Sequence, residues 1–232
     1  MTKIKICGIK TVDDALAAID LGADLLGFNF YPKSPRYVSM GHCRGIMSTV
    51  RKYGYVKYVG VFVNAPVAEI QATMETCELS LAQLHGDETV ETLSQLGGRA
   101  FKAFRGVADV ETDKGMIGNG TPAFLVDAAV KGLYGGSGVT ADWDGAAELA
   151  QKYPLLLAGG LTPENVADAV RQVKPWGVDV ASGVESAPGE KDRKRMKVFV
   201  KAVRSATTPV VAVHSRETLH SKRRNHDNFI TP

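Results

Sequence analysis

The chain has 232 residues, 44% of them hydrophobic and 23% charged, which suits one α/β barrel or two small domains and excludes wholesale disorder. No apolar run approaches the ~18 residues needed to cross a bilayer, and Met1-Thr2-Lys3-Ile4-Lys5-Ile6 is too short and too charged for the core of a secretory signal, so a cytoplasmic protein with no membrane partner is expected. The net charge is +3, and from Ala206 onward four basic residues face two acidic ones, which leaves the rest nearly neutral and without the basic stripe that nucleic-acid binding requires.

In chain order, short runs rich in Val, Ile, Leu and Phe alternate with longer amphipathic segments. The runs predict strands over Lys3–Cys7, Leu25–Phe30, Tyr58–Val63, Leu81–His85, Ala100–Phe104, Ala123–Asp127, Leu155–Ala158 and Val178–Ser182. Several are almost continuously apolar, as parallel strands covered on both faces must be. The segments between them predict helices over Thr11–Leu21, Gly41–Tyr53, Pro66–Cys77, Glu88–Leu96, Asp142–Tyr153, Pro163–Val173 and Lys191–Arg204. Thr11 is placed to cap the first, with Asp13 and Asp14 near its positive end, and Thr162-Pro163-Glu164 has the form of a helix start. Between Phe104 and Ala123 the glycines at 106, 115, 118 and 120 predict a weak or missing helix. Eight strands in strict alternation with helices give a single (β/α)8 barrel over residues 1–205, with a doubly wound open sheet as the alternative. Past Ala206 the pattern stops, and residues 206–232 read as a flexible tail with at most a brief docked segment at Val210–Val213.

In such barrels the chemistry lies at the carboxyl ends of the strands. Gly159-Gly160 follows the seventh predicted strand, and Ser182-Gly183 ends the eighth. Both could make tight turns, or let backbone N–H groups approach an anion. Together they fall on the two loops that hold phosphate in many barrels, and Gly135-Gly136-Ser137-Gly138 has the same character. Cys7 ends the first strand and Asp127 the sixth. A lone cysteine is most often a small buried hydrophobe and a lone aspartate can cap a turn, but a thiol and a carboxylate at one barrel mouth can also serve as base and acid. The three cysteines, Cys7, Cys43 and Cys77, have neither disulfide nor zinc-ligand spacing, so reduced thiols and no metal are expected.

Taken together, the motifs resemble one family. Lys5-Ile6-Cys7-Gly8-Ile9, Gly22-Ala23-Asp24, Gly27-Phe28-Asn29-Phe30 and Ser34-Pro35-Arg36-Tyr37-Val38 are similar to the opening of phosphoribosylanthranilate isomerases. Gln83-Leu84-His85-Gly86, the Gly135–Gly138 loop, Gly159-Gly160-Leu161-Thr162-Pro163-Glu164-Asn165-Val166 and Val178-Asp179-Val180-Ala181-Ser182-Gly183-Val184-Glu185 continue it in the family's order. The resemblance implies the Amadori rearrangement of N-(5-phosphoribosyl)anthranilate in tryptophan biosynthesis. Cys7 would be the general base and Asp127 the general acid, with no cofactor because the substrate's own iminium is the electron sink. It also implies that Arg36 pairs with the anthranilate carboxylate and that Gly138, Gly159, Gly160, Ser182 and Gly183 bind phosphate. His85 and Asp179 fall at substrate positions, although a hydrogen-bonded structural histidine remains an alternative at His85. The expected partner is a phosphorylated small molecule, and the protein a monomer or homodimer. One departure is Ala141-Asp142-Trp143, where the family has Phe-Asp-Trp.

Two other readings remain. Indoleglycerol-phosphate synthase is a ribose-phosphate barrel of the same pathway, but it relies on lysine and glutamate at strand ends, where this chain has Cys7, His85 and Asp127. A silent phosphate-binding scaffold would keep the glycine loops and need neither Cys7 nor Asp127.

Overall fold

A computed structural model of the chain describes residues 1–127 and 142–207. Eight parallel strands close on one another in chain order: β1 (Lys3–Cys7), β2 (Leu25–Asn29), β3 (Lys57–Phe62), β4 (Leu81–Leu84), β5 (Ala100–Phe104), β6 (Phe124–Asp127), β7 (Leu155–Ala158) and β8 (Gly177–Val180). The last returns to the first, with Lys3 opposite Gly177 and Lys5 opposite Asp179. The helices α1 (Val12–Asp20), α2 (Met40–Val50), α3 (Val67–Thr76), α4 (Val90–Gln95), α5 (Val107–Thr112), α6 (Trp143–Ala150), α7 (Val166–Val173) and α8 (Arg193–Thr207) form the outer layer. The closed sheet excludes the open doubly wound alternative. The weak unit after β5 is as expected: α5 has six residues and is followed by a 3-10 turn over Lys114–Met116.

The alternation of side chains along each strand creates two separate cores. Outward residues such as Ile4, Ile6, Phe28, Leu84, Phe124, Leu157 and Val178 pack against the helices. Inward residues fill the barrel: Leu25, Val59, Phe101, Ala103, Leu125, Leu156 and Ala158. This double demand is why the strands read as apolar runs rather than as alternating patterns. Phe101 is fully buried in the interior, where truncation to alanine costs about 3–5 kcal/mol.

Four helix starts carry the side-chain cap that the local sequence offers. Thr11, Ser39, Thr89 and Asp142 each accept a backbone N–H three residues on. At Thr162-Pro163-Glu164 the expected start fails, and α7 begins only at Val166. The Thr162 hydroxyl accepts from Glu164 N–H, and the Asn165 side chain accepts from Thr162 N–H at 2.8 Å. These local bonds hold a turn in place of the first helical turn. The second helix also ends earlier than the pattern suggested, at Val50. Lys191 is not helical. It belongs to an unanticipated antiparallel hairpin, β9 (Glu185–Ala187) with β10 (Glu190–Lys191), and Asp192 then caps α8. α8 runs through Thr207, slightly past the expected end of the body.

Candidate active site

Inward parity decides which side chains meet at the carboxyl mouth of the barrel. Lys5 and Cys7 share the inner face of β1, and the same parity selects Asn29 on β2, Gln83 on β4, Asp127 on β6 and Asp179 on β8. Cys7, Asn29, Gln83, Asp127 and Asp179 line a cavity of about 250 Å³ at that mouth, closed laterally by Arg36, Gly159, Gly160 and Ser182. His85 also lines it, although β4 ends one residue earlier, at Leu84. Ser182 likewise lies beyond β8, in a 3-10 turn over Ser182–Val184. Gly183 does not line the cavity. It packs behind it, where a Cβ would lie 1.9 Å from the Leu161 carbonyl oxygen, so the loops after β7 and β8 touch directly. Gly159 and Gly160 have φ of +99° and +61°, a region that disfavours other residues. Gly138 and Ala141 lie outside the described residues.

The electrostatics around Cys7 centre on Lys5. Its side chain is wholly buried in the barrel, with Nζ 2.9 Å from Asp179 Oδ1. Burial works against the lysine's charge, but Asp179 and the nearby Cys7 sulfur outweigh it and hold its pKa above the ordinary value. Both side chains converge over Gly27 of the neighbouring strand, where a Cβ would lie 2.7 Å from Cys7 Sγ and 3.2 Å from Lys5 Cε. Burial pushes the Cys7 thiol up, while the Lys5 ammonium pulls it back down only in part. The protein therefore opposes the free thiolate, with the Lys5 ammonium as its main counter-charge and Lys191 as a lesser one.

His85 is neutral at physiological pH, because burial and then the Lys5 charge push it below its ordinary value. Its Nδ1 lies 3.0 Å from Gln83 Nε2. An amide donating there makes Nδ1 the acceptor and leaves the imidazole proton on Nε2. Gln83 Oε1 is buried with no hydrogen-bond partner among the described residues. No group of residues suited to a metal occurs among the described residues.

Arg36 reaches the cavity from the loop after β2. Its Nε and Nη2 donate to the two oxygens of Glu185 at 2.8 and 2.7 Å. Glu185 in turn accepts from Lys191 at 2.7 Å. Five residues that shape the site were not singled out from the sequence: Lys5, Asn29, Gln83, Glu185 and Lys191. Lys5 and Gln83 each stand two positions before a residue that was (Cys7 and His85), so strand parity alone was a usable signal. Glu185 stood only as the last residue of the motif that begins at Val178, and Lys191 gave no signal, because their meeting depends on a hairpin too short to show periodicity.

Comparison with known proteins agrees with this architecture. The family model described as N-(5'phosphoribosyl)anthranilate (PRA) isomerase matches residues 4–202. The N-(5'-phosphoribosyl)anthranilate isomerase of Geotalea uraniireducens is 47% identical over 202 residues, covering 87% of this chain and 98% of that protein. That of Myxococcus xanthus is 47% identical over 207 residues, covering 88% and 96%. The crystal structure of the Thermotoga maritima enzyme aligns with a TM-score of 0.79 at 38% identity, covering 88% of this chain and all of the other (100%). A phosphoribosyl anthranilate isomerase in complex with reduced 1-(o-carboxyphenylamino)-1-deoxyribulose 5-phosphate aligns at 0.77 and 36% identity, with 88% and 100% covered. By sequence over most of its length and by fold, the chain belongs to the N-(5'-phosphoribosyl)anthranilate isomerase family, isomerases of tryptophan biosynthesis.

Proposed function

We propose that the chain converts N-(5-phosphoribosyl)anthranilate to 1-(2-carboxyphenylamino)-1-deoxyribulose 5-phosphate, with Asp127 as general acid and Cys7 as general base. Asp127 protonates the furanose oxygen, and cleavage of its bond to carbon 1 yields an iminium. The Cys7 thiolate removes the proton from carbon 2, and the resulting enolamine tautomerises to the ketone. The observation that carries this reading is that Cys7 and Asp127 face one cavity from different strands, alongside the glycine loops after β7 and β8. The iminium places positive charge beside a thiol that burial holds protonated, so substrate itself favours the thiolate. The backbone at Gly159, Gly160 and Ser182 suits the phosphate, with Gly183 and Gly138 assigned there by resemblance. Arg36 is assigned the anthranilate carboxylate, neutral His85 and the free Gln83 acceptor the sugar hydroxyls, and Asp179 the fixing of Lys5. The catalytic pair, Arg36 and the two described phosphate loops come from one chain, so monomer and homodimer are both compatible with activity. A cytoplasmic setting is consistent with the free thiols of Cys7, Cys43 and Cys77.

The test is turnover of phosphoribosylanthranilate, followed by loss of substrate fluorescence. Cys7→Ser and Asp127→Asn should each lower kcat by about two to four orders of magnitude, the usual worth of a positioned acid or base. Substrate affinity should change little. The double variant should fall well short of the product of the two losses, since both groups serve one proton shuffle. Near-normal kcat in Cys7→Ser, with chemistry limiting, returns Cys7 to a packing role.

A further inference from the structure

Arg36 is gripped before any substrate arrives, and the grip has a definite geometry. A guanidinium offers two forked edges to a carboxylate, Nε with Nη2 and Nη1 with Nη2. Glu185 occupies the first, with contacts of 2.8 and 2.7 Å. Glu185 is itself immobilised: its side chain is 4% exposed, and Oε1 also accepts from the wholly buried Lys191 Nζ, whose other contact is the Ala181 carbonyl at 3.0 Å. Burial works against this carboxylate's charge, but two cations outweigh it and hold its pKa below the ordinary value, so it stays charged at neutral pH. The hairpin that presents both residues is locked against the Arg36 loop, since a Cβ on Gly189 would lie 2.5 Å from the Pro35 carbonyl oxygen. On the other side the aliphatic stem of Arg36 crosses Gly8 so closely that a Cβ there would lie 2.6 Å from its Cδ.

The charges are also matched. Glu185 alone would cancel Arg36 and leave nothing to attract an anion. Lys191 restores one net positive charge, which a single carboxylate neutralises; burial lowers the lysine's own pKa, and its contact with Glu185 opposes that shift. We propose that Glu185, pinned by Lys191, is a positioning residue that holds Arg36 by its Nε–Nη2 edge and leaves the Nη1–Nη2 edge for the substrate's aryl carboxylate. The β9–β10 hairpin then determines selectivity for a carboxylated aromatic amine. This rests on the assignment of Arg36 to that carboxylate. The same contact could instead be a competitor that substrate must displace, and the two roles differ in sign: removing a positioning group weakens carboxylate binding, whereas removing a competitor strengthens it.

The experiment uses the full chain and two inhibitors, the reduced product analogue and the same compound without its ring carboxylate. Arg36→Met should abolish the wild-type preference for the carboxylated compound. Glu185→Gln should weaken the carboxylated compound roughly tenfold or more, since a misaligned guanidinium loses one of two parallel hydrogen bonds. It should leave the other compound within about twofold and raise KM far more than it lowers kcat. Glu185→Asp, which keeps the charge, should recover part of the loss. If Glu185→Gln fails to fold, Lys191→Gln should show the same selective loss. Equal weakening of both inhibitors, no change, or tighter binding of the carboxylated one overturns the inference. If Arg36→Met itself leaves the preference intact, the Arg36 assignment fails instead.

Discussion

At the scale of single residues, the chemistry at Cys7 sets opposing demands. A free thiol titrates near ~8.5, and burial in this site moves Cys7 upward despite Lys5. A general base acts deprotonated, so kcat/KM should rise with pH through the thiol's value in the free enzyme. A raised value places that rise above ~8.5, and the rate of thiol alkylation should rise over the same range. An alkaline limb centred at or below the ordinary thiol value overturns the burial argument. Lys5→Met removes the main cation that opposes burial, so the limb should move to still higher pH, with activity at pH 7 falling about tenfold for each unit of displacement. Asp179 would lose its ion-pair partner in that variant, so Lys5→Met with Asp179→Asn is the control that leaves no unpaired buried charge.

At the scale of elements, function depends on loops whose conformations are fixed by direct contact. The loop after β8 presses on the loop after β7 at Gly183, with no room for a side chain. Gly183→Ala must push these loops apart. It should raise KM by about an order of magnitude and change kcat much less, because the phosphate is remote from the reacting carbons. Inorganic phosphate should compete with substrate in the wild type and compete more weakly in this variant. Noncompetitive inhibition would remove the phosphate from these loops. Element boundaries were the least legible part of the sequence. The start of α7 was masked by Thr162 and Asn165, which bond the backbone locally, and the hairpin was invisible because a three-residue strand has no measurable period.

At the scale of the whole molecule, Asp24 and Arg204 join the two ends of the barrel. Asp24 accepts from Lys3 at 2.8 Å, from Ile4 N–H at 3.0 Å and from Arg204 at 2.9 Å, and Arg204 also donates to the carbonyls of Thr2 and Gly22. Burial works against the Asp24 charge, but these donors outweigh it and lower its pKa. A carboxylate that binds its proton more weakly folded than unfolded adds stability above the unfolded value of ~3.9, and that stability is lost as pH falls through the lower folded value. Tm should therefore fall as the pH drops below about 4. Asp24→Asn should flatten that drop and lower Tm at pH 7 by several degrees, since hydrogen bonds to a charged group are worth about 1.5–3 kcal/mol. An unchanged acid limb would mean that other carboxylates govern it. A chain ending at Thr207 should keep its kcat, because no assigned site residue lies beyond that point. A Tm drop of more than a few degrees would show that Val210–Val213 docks on the barrel, as ~1 kcal/mol shifts a domain of this size by only about 2–4 °C.

The sequence by itself determined the alternation of eight strands with helices, the weak fifth unit and the residues near the strand ends, whereas closure of the sheet was decided by the pairing of β8 with β1. The features legible in the sequence follow from local patterns: apolar runs, the amphipathic segments between them, and glycine at the strand ends. Only the tertiary structure decided that Lys5 lies beneath Cys7 against Asp179, and that Glu185 and Lys191 hold Arg36. Those contacts join residues 174, 149 and 6 positions apart. Their energies depend on burial and on charges from separate strands, and a single chain read in order shows neither.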